Sequence, residues 1–342
     1  MAKRLVIFNH KGGVSKTTSA YNMGWMMSGT HRVLLVDADP QCNLTGLLLG
    51  DGFERYYTEV ATKGQNIKDG VAATFDGKPV PIAPVECYSP VRAPNLYLLA
   101  GHANLSEYDA ALTFAQTSNN AITTLQNLPG AFSRLLFLTE QKYQIDFTII
   151  DLNPSLSAIN QNFFLISDAF IIPTNPDPFS IMAMETLTRI LPRWVSWKRS
   201  AVELFKDSAY PLTPQSPKFL GTLIQRFNVR NGKAARPYRN NINEIKEITK
   251  VKLFAALEAG GMTLSREAYA GLEVDSFCLG EIPDFQGLLP KSNTAGVPVF
   301  AVTDEEILET GAVLATAREN RDRFREQFEG IAARIVELMA HA

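Results

Sequence analysis

Two lysines flank a pair of glycines near the start of the sequence, in the segment numbered 11–18. The segment follows an apolar run, Leu5 to Phe8, so we predict a strand that gives way to a helix beginning at Lys16. Glycines let successive backbone N–H groups turn into one concavity, and the positive end of the helix dipole adds to it. Such a loop suits a nucleoside triphosphate, with Lys16 on the β- and γ-phosphates and the Thr17 hydroxyl on Mg²⁺. The predicted nucleotide-binding residues of the loop are Lys11, Gly12, Gly13, Val14, Ser15, Lys16, Thr17 and Thr18.

Carboxylates follow two more apolar runs that are typical of buried parallel strands. Asp39 comes shortly after the run from Val33 to Val36, and Asp151 comes directly after the run from Phe147 to Ile150. In an open α/β sheet the carboxyl ends of the strands face the ligand crevice. We therefore expect both carboxylates near the phosphate loop.

The loop fits the pattern x-K-G-G-x-x-K-[ST], and with D-x-D-P-Q ending in Gln41 it resembles the ParA/MinD (Soj-like) family of deviant Walker A ATPases, above all the ParA-type partition ATPases. The resemblance implies that Lys11 reaches across an ATP-dependent homodimer to the partner's nucleotide. It implies that Asp39 positions the attacking water and the Mg²⁺ shell, and that Asp151, in a Walker B position, holds Mg²⁺ through water. The implied catalytic residues are Lys11, Lys16 and Asp39, and the implied metal ligands are Thr17, Asp39 and Asp151.

Three residues depart from common patterns. The usual expression G-x-x-x-x-G-K-[ST] fails because His10 and Ser15 stand at its glycine positions, and Ser15 requires an unstrained φ. Asn153 replaces a proline that many relatives carry after the Walker B aspartate, which adds an amide near the γ-phosphate. We expect these changes to affect the hydrolysis rate.

The resemblance extends to the base-binding end and to a basic segment. Relatives hold the adenine after the sixth and seventh strands, which gives Arg226, Asn228, Pro283 and Asp284 here, with Asn228 as the preferred hydrogen-bonding residue. Partition ATPases bind non-specific DNA through basic residues near the dimer interface, and the stretch 218–239 is basic without any acidic residue. A solvated surface loop explains that stretch equally well. The candidate DNA-binding residues are Lys218, Arg230, Lys233, Arg236 and Arg239.

Composition narrows the class of protein. The chain has 342 residues and a formal net charge of −2, so any binding to nucleic acid must come from a local patch. Cys42, Cys87 and Cys278 are widely spaced, which disfavours a disulfide framework or an iron–sulfur site. With no signal peptide or spanning segment in the pattern, we expect a cytoplasmic protein that associates with the nucleoid when ATP is bound.

Strands and helices alternate along the chain, which predicts a doubly wound α/β fold with a mostly parallel sheet of seven to eight strands and helices on both faces. We expect one ATPase domain over 1–342, an insert at 51–94 and an extra helical element around 236–274, each either decoration or a partner-binding surface. The predicted strands run from Arg4 to Asn9, Arg32 to Val36, Leu96 to Leu99, Asp146 to Ile150, Ala169 to Pro173, Phe219 to Gln225 and Phe277 to Ile282. The predicted helices run from Lys16 to Ser28, Leu105 to Ala115, Ile122 to Lys142, Ser180 to Trp197, Arg236 to Glu258 and Glu305 to Met339.

These observations predict a ParA-type ATP hydrolase, slow and partner-stimulated, whose ATP dimer binds non-specific DNA while a ParB-like or other cargo adaptor triggers hydrolysis. One alternative is a regulatory or defence-associated ATPase that licenses an effector. A MinD-type membrane-positioning ATPase is disfavoured, because Glu326, Glu329 and Glu337 lie on the polar side of the last helix where a membrane-binding helix carries lysines. The sequence alone does not identify the cargo.

Overall fold

A computed structural model describes residues 1–117, 125–230 and 233–342, without the side chains of Arg230 and Lys233. Within this part of the chain, seven strands form one all-parallel sheet in the order β3-β2-β4-β1-β5-β6-β9. Two further short strands, β7 and β8, pair antiparallel as a separate hairpin. The strands are β1 Lys3–Ile7, β2 Val33–Ala38, β3 Leu96–Leu99, β4 Phe147–Leu152, β5 Ala169–Thr174, β6 Lys218–Gln225, β7 Val229–Arg230, β8 Lys233–Ala234 and β9 Cys278–Ile282.

Helices cover both faces of the sheet. On one side α1 packs against α13 and α2, and on the other α5, α6, α7 and α8 pack in sequence, followed by α9 and α10. The helices are α1 Lys16–Met27, α2 Asn43–Leu49, α3 Phe53–Tyr56, α4 Ala72–Phe75, α5 Asp109–Thr117, α6 Leu128–Tyr143, α7 Ala158–Leu165, α8 Pro178–Leu204, α9 Arg236–Ile248, α10 Phe254–Ala259, α11 Leu288–Ala295, α12 Asp304–Ile307 and α13 Gly311–Met339.

The predicted fold class and all seven predicted strands are confirmed. Strands β2, β4 and β5 are buried along almost their whole length, so a short apolar run was a sufficient signal for them, whereas edge strand β9 is only partly buried. One hydrophobic core extends from Leu5 to Met339 and takes residues from all seven strands. The sheet is therefore the rigid base from which the loops at its carboxyl edge project.

The helix predictions needed several corrections. The predicted helix from Arg236 to Glu258 contains a stretch of π-helix, Thr249–Leu253, and the one from Glu305 to Met339 is interrupted where Leu308 adopts a φ of 55°. The first residues of the predicted helix from Ile122 to Lys142 lie outside the described residues. Helix α7 was not predicted, because nearly all its residues are buried and no polar face reveals a helical period.

The segment 51–94 covers an edge of the sheet. It contains α3, α4 and two turns of 3₁₀-helix, and it is tied to edge strand β3 by an antiparallel bridge between Tyr88 and Leu98. The hydroxyl of Tyr57 donates a hydrogen bond to the carbonyl of Gly101 at 2.7 Å. Covering an edge strand in this way protects its unpaired backbone groups. In the described residues, no helix combines the length and apolarity needed to cross a bilayer.

Candidate nucleotide-binding site

The phosphate loop joins β1 to α1 and is fastened to the neighbouring strand β5. The side chain of Asn9 donates to the carbonyl of Pro173 at 2.9 Å, and its oxygen accepts the backbone N–H of Lys11 at 3.0 Å. Val14 is fully buried and anchors the tip of the loop in the core. The loop thus has a fixed shape before any ligand binds.

Ser15 corrects one sequence expectation. The prediction required an unstrained φ, but Ser15 caps α1 with φ 60° and ψ 33°, in the left-handed region. This conformation costs a residue with a side chain about 1 kcal/mol relative to glycine. The loop therefore keeps the shape that glycine would give and stores strain at this position.

Lys16, the first residue of α1, is nearly buried. Its ammonium donates to the carbonyl of Lys11 at 3.1 Å, which curls the loop around it. Burial lowers the pKa of this ammonium, while the negative charges of Asp151 and Asp39 oppose the shift. A buried ammonium within the field of two carboxylates is well suited to binding a phosphate, because the local dielectric is low.

The register of the sheet places the carboxylates. Asp37 at the end of β2 lies opposite Asp151 at the end of β4, and Asp151 also lies opposite Ile7 at the end of β1. Burial raises the pKa of Asp151, and the neighbouring charge of Asp37 adds to the effect. Both carboxylate oxygens of Asp151 are buried without a hydrogen-bond partner among the described residues. The Thr17 hydroxyl lies close enough to Asp151 to oppose the rise in its pKa. A hydroxyl and a carboxylate at this place fit an Mg²⁺ site, since hard cations prefer oxygen ligands.

Asp37 and Asp39 have different surroundings. Asp37 accepts the backbone N–H and the hydroxyl of Thr45 at 2.8 and 2.7 Å, which fastens α2 to the sheet. Its complete burial raises its pKa to about 6. Among the described residues, the Asp39 side chain accepts the backbone N–H of Gln41 at 2.9 Å, so it retains acceptor capacity for a ligand. The carboxylate of Asp37 is used within the fold, whereas that of Asp39 remains accessible to the cleft.

These elements enclose a cleft of about 420 Å³ at the carboxyl edge of the sheet. Most of the predicted nucleotide-binding residues line it, and four predicted residues, Lys11, Gly12, Asn228 and Asp151, are not among its lining residues. The cleft is lined by Gly13, Val14, Ser15, Lys16, Thr17, Thr18, Asp39, Gln41, Asn43, Pro154, Gln225, Arg226, Ile282, Pro283, Asp284, Phe285 and Leu289.

Several of these lining residues were missed from the sequence. Gln225 ends β6, and its amide donates to the hydroxyl of Ser19 at 2.6 Å. The rule that predicted the carboxylates, that strand ends face the crevice, would also have found Gln225. Phe285 and Leu289 carried no such signal, because an apolar residue after a strand is more often part of the core.

Lys11 lies outside its own cleft. Its ammonium forms an ion pair with Asp177 at 2.5 Å and donates to the hydroxyl of Ser180 at 3.0 Å, at the amino-terminal end of α8. Desolvation raises the pKa of Asp177, but the ion pair with Lys11 and the hydrogen bonds from Ser180 outweigh it, so the pKa is lowered. The two lysines of the loop therefore have different environments, one buried in the cleft and one held on the face beside it.

The base-binding end is formed by the loops after β6 and β9. Arg226 adopts a left-handed φ of 58°, and its guanidinium donates to the carbonyl of Gly13 at 3.1 Å. The backbone N–H of Asp284 donates to the carbonyl of Phe227 at 3.1 Å, which joins the two loops. Asn228 is exposed and its carbonyl accepts the N–H of Ala235, so the chain has already turned toward the hairpin at this position. The structure brings Arg226, Pro283 and Asp284 to the cleft, but not Asn228.

The loop after Asp151 is held by a buried asparagine. Asn160, fully buried in α7, donates from its side-chain amide to the carbonyls of Asn153 and Ser155 at 2.9 and 2.8 Å. It also approaches the side-chain oxygen of Asn153 at 3.0 Å. Asn153, singled out as a departure from relatives, is thus a partner in this contact. Asn160 was missed because α7 was missed.

The candidate DNA-binding residues do not all lie together. Arg236 and Arg239 are exposed in the first turns of α9, directly after the hairpin that holds Arg230 and Lys233. Lys218 begins β6, and its ammonium donates to the carbonyl of Gly261 at 2.8 Å. Lys218 therefore lies at the opposite end of β6 from the other candidates, and the strand is about 25 Å long.

The fold and cleft define a P-loop nucleotide-binding protein. A family model described as an AAA domain matches residues 2–203, more than half of the chain. The chain is 31% identical over 230 residues to the uncharacterized protein Rv1708 of Mycobacterium tuberculosis, covering 67% of this chain and 59% of that protein. It is 30% identical over 191 residues to the chromosome partitioning protein ParA of Caulobacter vibrioides, covering 55% of this chain and 62% of that protein. The chain belongs to this AAA-domain family, and its similarity to ParA proteins confirms the predicted ParA resemblance.

A solved structure agrees with this assignment at the level of fold. The structure described as pNOB8 ParA bound to nonspecific DNA superposes with a TM-score of 0.54 at 18% identity, covering 99% of each chain. At that identity the likeness is one of fold alone. The chain spans about 60% of the length of the curated relatives it matches.

Proposed function

We propose that this chain is an ATP-dependent, dimerising ATPase of the ParA type that positions or segregates DNA or another cargo. The observation that carries the proposal is that Asp151 and Asp39 lie close enough to Lys16 for their charges to act on its ammonium, at the carboxyl edge of the sheet. A buried lysine, an acceptor with free capacity and an unpartnered carboxylate are the groups that phosphoryl transfer needs. We further propose that residues 1–342 form one ATPase domain, with 51–94 as an insert and 236–274 as an added helical element.

Each residue has a specific task in this proposal. The ammonium of Lys16 and the loop amides bind the β- and γ-phosphates, and the orientation of Asp39 directs a water toward the γ-phosphorus. Thr17, Asp39 and Asp151 would hold Mg²⁺, which when bound supplies charge neutralisation at the phosphate oxygens. Arg226, Pro283 and Asp284 bind the base side of the nucleotide. Asn160 keeps the loop at Asn153 in place beside the γ-phosphate position.

Lys11 supports the dimer part of the proposal. Its ammonium does not reach its own cleft and instead lies against Asp177 on the adjacent face. A lysine in this position is free to serve a second copy once it leaves Asp177, and there it would neutralise charge that develops on the transferred phosphoryl group. The side chains of Lys11 and Asp177 are 21% and 33% exposed, so a phosphate of a second copy can compete with Asp177 for the Lys11 ammonium.

The hairpin and the start of α9 carry the basic residues of a candidate DNA-binding surface. Arg230 and Lys233 belong to the hairpin that leaves the base-binding loop, and exposed Arg236 and Arg239 begin the helix after it. We propose that this surface binds DNA phosphates without sequence preference in the ATP dimer, which would place the protein on the nucleoid. Lys218 is excluded from this surface by its place at the opposite end of β6. A ParB-like or other cargo adaptor would stimulate hydrolysis and release the dimer.

Substitution of Lys11 tests the dimer. Lys11→Ala should abolish the ATP-dependent dimer while ATP still binds to the monomer, and light scattering with and without ATP·Mg measures the change. Lys142→Ala is a matched control, because Lys142 is a half-exposed lysine with its own acidic partner, Glu86 at 2.6 Å. An ATP dimer that persists in the Lys11→Ala protein would show that the sandwich arrangement is wrong.

A gel shift tests the DNA surface. The Asp39→Ala protein, which should bind ATP without hydrolysing it, is expected to shift a DNA duplex at low salt only when ATP is present. Because phosphate contacts release counterions, binding should fall steeply as salt rises. No shift under these conditions would contradict the partition function and favour an ATPase that licenses an effector protein.

A further inference from the structure

A second cavity, of about 560 Å³, lies beside the β7–β8 hairpin between α9 and α13, and we name it the hairpin cavity. It is separate from the nucleotide cleft, and the two share Pro283 as a common wall. Its volume lies within the range of about 300–1,000 Å³ that is typical of small-molecule sites. The cavity is large enough for a nucleotide-sized ligand.

Two helices line the hairpin cavity with the same pair of side-chain types. Helix α9 contributes Arg239 and Asn243, and α13 contributes Arg323 and Gln327. In each helix the two residues are four positions apart, so they lie one turn above the other on the same face. The cavity is therefore flanked from two sides by a guanidinium and a carboxamide.

The base of the hairpin cavity is apolar. Phe227 and Ile242 line it and are themselves almost fully buried in a small hydrophobic cluster beneath the hairpin. An aromatic ring and an aliphatic side chain provide a flat surface on which a planar group can lie. The combination of apolar base and basic flanks favours a ligand that carries both a flat apolar part and negative charge.

Among the described residues that line the hairpin cavity, the one carboxylate is already paired. Glu281 lies 2.6 Å from the ammonium of Lys246, which also contacts Asp275 at 2.7 Å. The guanidinium of Arg323 lies over the ring of Phe324, with 5.3 Å between the guanidinium carbon and the ring centroid. This contact holds the arginine in place without using its hydrogen-bond donors. The local balance of charge thus favours an anion.

Gln327 leaves part of its hydrogen-bonding capacity unused. Its amide nitrogen donates to the carbonyl of Glu281 at 3.4 Å, while its buried side-chain oxygen has no partner among the described residues. A buried polar atom without a partner costs free energy unless a ligand or water satisfies it. Gln327 is therefore available to a donor on a molecule bound in the cavity.

We propose that the hairpin cavity is a second binding site, for a phosphate ester of nucleotide size. Arg239 and Arg323 bind the phosphate from opposite sides, since paired guanidinium donors match phosphate oxygens. Phe227 supports the planar base, and Asn243 and Gln327 bind its polar edge or the sugar. Such a ligand is either a free nucleotide or a nucleotide unit of a DNA strand, and the second source rests on the function proposed above.

The hairpin cavity and the nucleotide cleft share a section of backbone. Arg226 in the cleft and Phe227 in the hairpin cavity are adjacent residues, and Pro283 lines both. Hydrogen bonds from the N–H of Arg226 to Ile282 and from that of Asp284 to Phe227 hold the two loops together at 3.1 Å each. A ligand that shifts this wall in one site alters the other, and the effect is reciprocal.

Calorimetry with AMP as the probe tests the free-nucleotide source. The protein is first saturated with ADP·Mg, so that AMP reports on the hairpin cavity and not on the phosphate loop. Arg239→Gln and Arg323→Gln should each weaken AMP binding by roughly tenfold, because each removes a charge-assisted hydrogen bond. Arg193→Gln, an exposed arginine of α8 that does not line the cavity, should leave binding unchanged.

Fluorescence anisotropy with a labelled DNA duplex tests the polynucleotide source. If AMP does not bind but the Arg323→Gln protein binds the duplex at least tenfold more weakly than the Arg193→Gln protein, the ligand is a DNA strand, because Arg323 lies in the hairpin cavity and outside the DNA surface proposed above. Gln327→Glu adds a negative charge to the cavity, so this variant should also weaken binding of the same ligand. Thermal unfolding of each variant checks that its fold is retained.

The proposal is overturned if neither AMP nor duplex binding differs between the Arg323→Gln protein and the Arg193→Gln control. Hydrolysis of ATP by the Arg193→Gln protein is measured in parallel and should persist, because Arg193 lines neither the hairpin cavity nor the nucleotide cleft. If the unaltered protein does not hydrolyse ATP, the proposed function is contradicted, but the AMP measurement is still valid. The two proposals therefore fail separately.

Discussion

The two halves of the nucleotide cleft are built in different ways. In the phosphate half, the register of β1, β2 and β4 sets Asp37 opposite Asp151, and the reactive groups are buried. In the base half, the loops after β6 and β9 are joined by a few backbone hydrogen bonds. Arg226, which is exposed and has a left-handed backbone conformation, extends its guanidinium to the carbonyl of Gly13. The phosphate half is therefore preorganised by the core, whereas the base half can adapt.

This difference predicts how substitutions act. Changes in the phosphate half should reduce the rate of the chemical step, because they disturb groups held for the transition state. Changes in the base half should alter affinity for the nucleotide with little effect on kcat. A substitution that breaks this division would show that the two halves are not independent.

Lys16→Ala should have the largest effect. Removing the one ammonium buried among the phosphate-binding amides should lower ATP hydrolysis by roughly 10²–10³-fold. A malachite-green phosphate assay on the folded protein measures this. Lys198→Met is the control, because Lys198 is a second buried lysine whose ammonium donates to the carbonyl of Leu165, outside the cleft. That variant should change stability but keep its turnover per folded molecule.

Asn160→Ala tests the loop after Asp151. It leaves the carbonyls of Asn153 and Ser155 without their buried donor, so the free energy of unfolding should fall by about 2 kcal/mol. The kcat for ATP hydrolysis should fall as well, with KM nearly unchanged. Urea titration and steady-state kinetics measure the two effects.

Asn162→Ala is the matched control for this prediction. Asn162 is a buried asparagine of the same helix, and its amide donates to the carbonyl of Pro129 at 2.8 Å, away from the cleft. It should lose similar stability while kcat stays unchanged. Equal losses of kcat in both variants would show that Asn160 acts through general stability and does not position the loop.

Arg226→Gln probes the base half. Loss of the guanidinium that lines the cleft and contacts Gly13 should weaken ATP binding by about tenfold, with kcat preserved. Equilibrium dialysis of ATP against the protein measures the affinity, and Arg189→Gln, an exposed arginine of α8, is the control. A fall in kcat without a change in affinity would place Arg226 in the phosphate half.

Ser15→Gly should have the smallest effect and the opposite sign. Glycine relieves the left-handed strain at φ 60° but increases the entropy of the unfolded chain, so a net stabilisation of about 0.5 kcal/mol is expected. Gln144→Gly, at φ 52° after α6, should stabilise by a similar amount. If only Ser15→Gly changes the hydrolysis rate, the strain at Ser15 has a functional role. Thermal unfolding and phosphate release measure these effects.

Much of the phosphate half was predictable from the sequence, because its signals are local. Apolar runs mark the strands, glycines mark the turn, and Asp39 and Asp151 follow strand ends by a general rule of α/β sheets. The base half was less predictable, since its residues lie in loops whose direction depends on the packing of distant elements. Asn228 illustrates this, because the backbone turns away from the cleft just before it and its carbonyl is bonded to Ala235 at the end of the hairpin.

By itself the sequence determined the class of fold, the position of the loop between β1 and α1 and the positions of the strands along the chain, since each depends on short patterns of residue type. Only the tertiary structure determined that Lys11 pairs with Asp177, that Asn160 holds the loop at Asn153, and that Lys218 lies at the opposite end of its strand. Contacts between residues far apart in the chain depend on how helices pack on the sheet. No local pattern encodes that packing.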